Sequence, residues 1–105
     1  MIDFGDRKKE RFNANKTSLT IAIPSLNSGK TLHIPMNSIL NQKESQFKTK
    51  IILLDSGSTD NTKLTFLSYK DKLDLIFKDV GKCSIGEARN HAIKFFKSDY
   101  FIFLD

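Results

Sequence analysis

Short apolar runs alternate along most of the chain with segments in which apolar residues recur at helical spacing. The apolar runs lie at 18–24 ("SLTIAIP"), 50–54 ("KIILL"), 73–78 ("LDLIFK") and 100–105 ("YFIFLD"). Runs of this length between polar residues predict four strands. The unbroken run "KIILL" is typical of a parallel strand that is covered on both faces.

Three predicted helices separate these strands, at residues 28–42, 60–70 and 84–96. The last has the clearest start, because Ser84 and Glu87 have the spacing of a capping box. The residues predicted to face the sheet are Leu32, Met36, Ile39 and Leu40 in the first helix, Leu64, Leu67 and Tyr69 in the second, and Ile85, Ala88, Ala92 and Phe96 in the third.

Strands and helices in this order predict right-handed βαβ units and an α/β fold with a doubly wound, mostly parallel sheet. The 105 residues suffice for one domain, placed at 18–105. Residues 1–17 are polar and are predicted to form a mobile extension or a short docking arm. Sheets of this kind bind ligands beyond the carboxyl ends of their strands, where the strand order reverses.

The charge and cysteine content narrow the function classes. The net charge is +5, but 14 of the 17 basic residues are scattered lysines, and no stripe of arginine and aromatic residues suggests nucleic-acid binding. No apolar run is long enough to span a bilayer, and the first residues do not form a secretory signal, so a cytoplasmic location is predicted. The single Cys83 offers neither a disulfide nor a zinc site.

The candidate chemistry lies directly after the first two strands. Neither strand is followed by a glycine-rich dinucleotide or phosphate loop. Instead, Asp55 can accept hydrogen bonds from the N–H groups of a base or from ribose hydroxyls, and Asn27 can both donate and accept. Gly57 allows a sharp turn, and Ser58 or Thr59 is predicted to cap the following helix. A plain strand-to-helix turn also explains this stretch on its own.

Four segments together resemble a known family. They are "SLTIAIPSLN", "IILLDSGSTDNT", "GEARNHAI" and "YFIFLD", in this order and each at a predicted strand end or helix start. The pattern is similar to the N-terminal half of the glycosyltransferase family 2 domain, which has the GT-A fold, a Rossmann-like architecture. The resemblance extends over residues 18–105 and implies an inverting transferase that uses sugar nucleotides, as in the synthesis of cell-surface glycans.

The resemblance implies roles for individual residues. Asp55 matches the carboxylate that holds the base, and Ser56 stands where many relatives have a second acid. Arg89 matches the arginine on the nucleotide side, where a guanidinium suits a diphosphate, although an ion pair with Glu87 is an alternative. The complete predicted nucleotide-sugar site is Pro24, Ser25, Asn27, Asp55, Gly57, Ser58, Gly86, Arg89 and Asp105.

Asp105 matches the first acid of the D-x-D motif, which in the family contacts the ribose and a divalent cation. Mg²⁺ or Mn²⁺ is therefore the implied cofactor, and a nucleoside-diphosphate sugar, most simply of the UDP type, is the implied ligand. The chain ends at this acid. The acceptor-binding half and the general base are therefore expected beyond it, with a glycan as the acceptor of the full-length enzyme.

Two further expectations follow from this truncated pattern. The 105-residue chain alone is expected to lack transfer activity, and the open edge of its fourth strand favours self-association. The alternatives are a sugar nucleotidyltransferase, for which the first loop has too few glycine and basic residues, and a non-catalytic nucleotide-binding or assembly module.

Overall fold

The computed structural model describes residues 17–42 and 46–104. Four strands form one sheet in the order β3-β2-β1-β4, and all of its pairings are parallel. The strands are β1 (Thr17–Ser25), β2 (Phe47–Asp55), β3 (Leu75–Asp79) and β4 (Tyr100–Phe103), and the helices are α1 (His33–Leu40), α2 (Thr62–Leu67) and α3 (Ile85–Phe95). The predicted α/β architecture is confirmed. Most of the predicted extension lies outside the described residues, as does Asp105, and β1 already begins at Thr17.

Helices cover both faces of the sheet, which makes the fold doubly wound. Alternate residues of β2 point to opposite faces. Ile51 and Leu53 pack in one buried cluster with residues of α1 and α2, whereas Ile52 and Leu54 pack in a second cluster with Ala88 and Ala92 of α3. We call these the α1/α2 face and the α3 face. The strand order reverses between β1 and β4, so the expected ligand edge lies at the carboxyl end of β1 and of the strands on either side of it.

Helix α2 is shorter than predicted, and one of the three residues expected to face the sheet does not do so. Leu67 and Tyr69 pack against the α1/α2-face cluster, as expected. Leu64 was expected to face inward, but it is 74% exposed. Phe66 is fully buried instead, and Thr62 is buried one helical turn before it. Residues four apart share one side of a helix, so a helix that begins at Thr62 buries positions 62 and 66 and turns Leu64 outward.

Helices α1 and α3 agree better with the predicted pattern. Leu32 and Met36 are buried at and near the start of α1. The capping box of α3 is present, with the Glu87 N–H donating to Ser84 Oγ at 3.1 Å and the Ser84 N–H donating to Glu87 Oε1 at 2.8 Å. The prediction for Ile85 is wrong, since this side chain is largely exposed. Ile85 follows Ser84 at the helix start and lies outside the buried contact that Ala88 and Ala92 make.

Strand β4 forms one edge of the sheet among the described residues, and it pairs with β1 from Leu19 opposite Tyr100 to Ala22 opposite Phe103. The outer positions are open, because Tyr100 is 60% exposed and Ile102 is also exposed. In residues 17–42 and 46–104, no helix has the length and apolar character needed to cross a membrane.

Candidate functional site

The carboxyl ends of β1, β2 and β3 form one continuous edge. In the ladder, Ser25 lies opposite Asp55, and Asp55 lies opposite Asp79. The ladder extends past the strands, because the Ser56 N–H donates to the Ser25 carbonyl at 2.9 Å and the Val80 N–H donates to the Asp55 carbonyl at 2.8 Å. The structure therefore brings the first two predicted segments of the site together at neighbouring strand tips.

Asp55 is buried at this edge and is held by its own loop. Its side chain is 4% exposed. Its Oδ2 atom accepts hydrogen bonds from the N–H groups of Gly57 and Ser58, at 3.2 and 2.9 Å, and its Oδ1 atom accepts one from Ser58 Oγ at 2.6 Å. Gly57 has a φ of 102°, a left-handed conformation that favours glycine. The loop after β2 is thus folded around the carboxylate.

Asn27 connects this loop to the loop after β1. The Asn27 N–H donates to Ser58 Oγ at 2.7 Å, and the Asn27 side-chain oxygen accepts from the Thr59 N–H at 2.8 Å. Asn27 has a φ of 51°, which asparagine adopts more readily than most residues. The expectation that Ser58 or Thr59 caps the next helix is therefore wrong. Ser58 bridges Asp55 and Asn27, and the N-cap position of α2 is Asn61.

A second connection between the same loops centres on Asp60. Its Oδ2 atom accepts from the Gly29 N–H at 3.0 Å, and its Oδ1 atom accepts from both the N–H and the hydroxyl of Thr62, the former at 3.0 Å. The Thr62 hydroxyl in turn accepts from the Ser28 N–H at 2.9 Å. Asp60 therefore satisfies an N–H group at the start of α2 and holds the preceding loop at the same time.

These contacts make the Asp60 connection dependent on pH. The hydrogen bond from the Thr62 hydroxyl, with those from the N–H groups of Gly29 and Thr62, lowers the pKa of Asp60 below its ordinary value of 3.8. A carboxyl with a lowered folded-state pKa stabilises the fold above its unfolded pKa, and this stabilisation is lost as the pH falls through the folded pKa.

We therefore expect the wild type to be more stable than Asp60→Asn near neutral pH, with a difference that shrinks below about pH 4. Urea unfolding of both proteins between about pH 7 and pH 3 measures this difference. The control is Asp71→Asn, which removes the same charge from an exposed position in the turn after α2. If the urea midpoints of the wild type and of Asp60→Asn change with pH by the same amount throughout this range, the prediction is wrong.

The remaining predicted residues lie on other parts of the edge. Pro24 is the residue before Ser25 in β1, and Ser25 is 6% exposed, with a hydroxyl that has no hydrogen-bond partner among the described residues. Gly86 lies exposed in the first turn of α3. The Arg89 guanidinium carbon lies 5.4 Å from the ring centroid of Phe103, a cation–π distance that connects α3 to β4.

No metal site is formed by the described residues. Within 17–42 and 46–104, no three His, Cys, Asp or Glu side chains lie close enough together to hold an ion. Asp105, the acid expected to contact a divalent cation, lies outside these ranges.

The sequence did not reveal the residues that connect the two loops through Asp60. An added Cβ at Gly29 would lie 1.8 Å from the side-chain oxygen of Asn61, so the backbone approaches α2 closely there. The local signal was the Asp-Asn-Thr run at the helix start, where an acid precedes a hydroxyl residue by two positions. The partner loop lies about 30 residues earlier, as the separation of 31 between Gly29 and Asp60 shows.

The chain is thus an α/β protein with polar loops at the carboxyl ends of its parallel strands, which is where proteins of this class bind their ligands. The family model for glycosyl transferase family 2 matches residues 20–105, most of the chain. The chain belongs to glycosyltransferase family 2. This membership removes the support for a separate sugar nucleotidyltransferase.

Curated relatives agree with this membership. The chain is 35% identical over 100 residues to an uncharacterized glycosyltransferase of Rickettsia conorii, covering 93% of this chain and 16% of the relative. It is 33% identical over 90 residues to the poly(ribitol-phosphate) beta-N-acetylglucosaminyltransferase TarP of Staphylococcus aureus, covering 83% and 27%. The chain therefore spans a third or less of the length of these relatives.

Solved structures share the fold. Residues 1–349 of S. aureus TarS, in complex with UDP-GlcNAc, superpose with a TM-score of 0.76 at 25% identity, over 85% of this chain and 26% of that TarS chain. Glucosyl-3-phosphoglycerate synthase of Mycobacterium tuberculosis, in complex with Mn²⁺ and UDP-glucose, gives a TM-score of 0.63 at 23% identity, over 85% and 33%. The GT-A architecture expected from the sequence is confirmed.

Proposed function

We propose that this chain forms the nucleotide-sugar-binding part of an inverting glycosyltransferase in which a UDP-type sugar is the donor and a glycan is the acceptor. The observation that carries the proposal is the joined edge at the carboxyl ends of β1 and β2, where Asn27, Asp55 and Ser58 hold two loops in one arrangement. Family membership provides the reaction class. TarS binds UDP-GlcNAc with the same architecture, which supports the donor type.

The α3 side of this edge is the proposed diphosphate side. Arg89 presents a planar set of donors that fits phosphate oxygens, and its position over the Phe103 ring limits its freedom. A guanidinium there would stabilise the negative charge that develops on the leaving diphosphate. Gly86 in the first turn of α3 leaves the backbone open to a ligand.

A divalent cation, Mg²⁺ or Mn²⁺, is part of the proposal. Such an ion would neutralise the diphosphate, and Asp105 is the residue of this chain proposed to contact it. The M. tuberculosis synthase with Mn²⁺ and UDP-glucose supports metal use by the fold. The glycan acceptor, self-association through β4 and a cytoplasmic location stay predictions from the sequence.

Titration of the ¹⁵N-labelled chain with UDP tests the proposal. We expect saturable amide shifts at residues 25–27, 55–59 and 84–89, and none at the amino ends of the strands, such as Thr17, Phe47 and Leu75, because ligands of this fold meet the carboxyl edge. UDP should bind more tightly than uridine, since the diphosphate meets Arg89. Shifts confined to the amino ends, or no saturable binding, overturn the proposal. Sugar transfer is not expected from this chain alone.

A further inference from the structure

An apolar groove of about 1000 Å³ lies on the α1/α2 face and is lined by residues of α1, β1, β2 and β4. Ile21 of β1 and Ile51 of β2 line the groove and belong to the buried cluster that defines this face or pack against it. Ile102 of β4 lies opposite Ile21 in the parallel ladder, so its side chain points to the same face, and it is 45% exposed. Contiguous apolar surface that stays open to solvent is typical of an interaction surface.

One end of the groove lies beside the first described residue of the chain. Thr17 is opposite Phe47 in the ladder, and both Phe47 and Leu19 line the groove. The Phe47 ring is 37% exposed and forms a T-shaped pair with the ring of Tyr100, with centroids 6.2 Å apart. Residues 1–16, which precede the described residues, therefore join the fold at this end of the groove.

The sequence of residues 1–16 suits this surface. Phe12 stands five positions before Thr17, and five extended residues reach about 17 Å. Asn13 and Asn15 stand between them, and asparagine favours the turns that would lead the chain back toward the groove. An aromatic ring that arrives there would meet the two exposed rings at the end of the groove.

The charges of the two surfaces are complementary. Among the described residues that line the groove, the charged one is an acid, Asp74. Residues 1–16 carry five basic and three acidic side chains, and the basic Arg11 directly precedes Phe12. An exposed ion pair contributes about 1 kcal/mol or less, so charge would orient the segment and apolar burial would hold it.

Part of residues 1–16 also belongs to the region that matches a relative. The match to the Rickettsia conorii glycosyltransferase covers 93% of this chain, which is more than residues 17–105 alone provide. The match therefore extends into the segment before β1. This continuity is expected of a segment that packs on the domain.

We propose that residues 1–16 bind to this groove of the same chain, with the Phe12 ring packed against Leu19, Phe47 and Ile102. The groove is then the surface for the docking arm that the sequence predicted as one of two alternatives. The proposal does not depend on the nucleotide-sugar function, because Leu19 and Phe47 lie near the amino ends of their strands and the ligand edge lies at the carboxyl ends.

NOE spectra of the ¹³C-labelled 105-residue chain test the proposal directly. We expect NOEs from the Phe12 ring to the methyl groups of Leu19 and Ile102. Trypsin should cleave after Arg11 about tenfold faster in Phe12→Ala than in the wild type, because docking protects this bond. The control is Phe95→Ala, which removes an exposed ring from α3 on the other face and should leave this rate unchanged.

A variant of the groove tests the other partner of the contact. Ile102→Thr leaves residues 1–16 intact and should also increase the cleavage rate after Arg11, by about three- to tenfold. The proposal is overturned if the wild type gives no such NOEs, or if trypsin cleaves the wild type and both groove-contact variants at the same rate. It is also overturned if the NOEs arise only between labelled and unlabelled copies of the chain, since a second copy then occupies the groove.

Discussion

Asp55→Ala is expected to lower the free energy of unfolding by about 2–4 kcal/mol, because hydrogen bonds to a charged, buried acceptor are among the stronger ones. The substitution leaves the N–H groups of Gly57 and Ser58 without their acceptor, and it also releases the Ser58 hydroxyl. The effect should reach Asn27 through that hydroxyl. Urea unfolding at neutral pH gives the magnitude, and amide shifts of residues 27 and 57–59 show whether both loops rearrange.

Asp79→Ala is the matched control for this prediction. Asp79 lies opposite Asp55 in the ladder and also accepts a hydrogen bond from the residue two positions on, the Gly81 N–H at 2.9 Å, but it is exposed. Its loss should cost about 1 kcal/mol or less. Equal losses for the two variants would show that burial and the second loop add nothing to the Asp55 contacts.

Phe66→Ala is expected to cost about 3–5 kcal/mol, the range for deletion of a buried aromatic ring. Phe66 is fully buried on the α1/α2 face beside Ile51, Leu53 and Met36, and its ring centroid lies 6.5 Å from that of Phe77. Domains of this size have a total stability of about 5–15 kcal/mol, so the variant should be close to unfolding at 37 °C. Thermal and urea unfolding measure the loss.

Leu64→Ala provides the comparison on the same helix. Its side chain is largely exposed, so truncation should change the free energy of unfolding by about 0.5 kcal/mol or less. The original helical pattern placed Leu64 in the core, and it therefore predicts the opposite order of effects. A larger loss for Leu64→Ala than for Phe66→Ala would mean that α2 packs in the orientation expected from the sequence.

The strand pattern and the capping box were sufficient to predict most of the fold. The apolar run at Ile51–Leu54 has the composition of a strand covered on both faces, and both faces are indeed covered. Ser84 and Glu87 marked the start of α3 because a capping box is a local signal. Such signals need only residues that are near one another in sequence.

Helix α2 could not be oriented in this way. It has only six residues, which is less than two turns, so a periodic pattern has too few positions to identify one face. The contact with Asp60 settles where the helix begins, and that contact includes Gly29 from another loop. Tertiary contacts therefore decided which residues of α2 became buried.

In the candidate site, too, local features could be predicted from the sequence and long-range contacts could not. The sequence identified the strand ends and the acid at position 55, since a polar cluster follows an apolar run there. It did not identify Ser58 as the bridge between Asp55 and Asn27, because that hydrogen bond joins residues 31 positions apart. Nor did it indicate that the Ser56 hydroxyl lies 3.9 Å from the Cys83 sulfur, since these residues are 27 positions apart.

The place of β4 beside β1 has a consequence for biosynthesis. Ser18 and Asp99, which are joined by hydrogen bonds, are 81 positions apart, so β1 leaves the ribosome well before β4 has been made. One side of β1 must therefore wait for this intervening segment to be translated before its partner arrives. Closing so long a loop is slow, and the exposed backbone of β1 is a point at which nascent chains can aggregate.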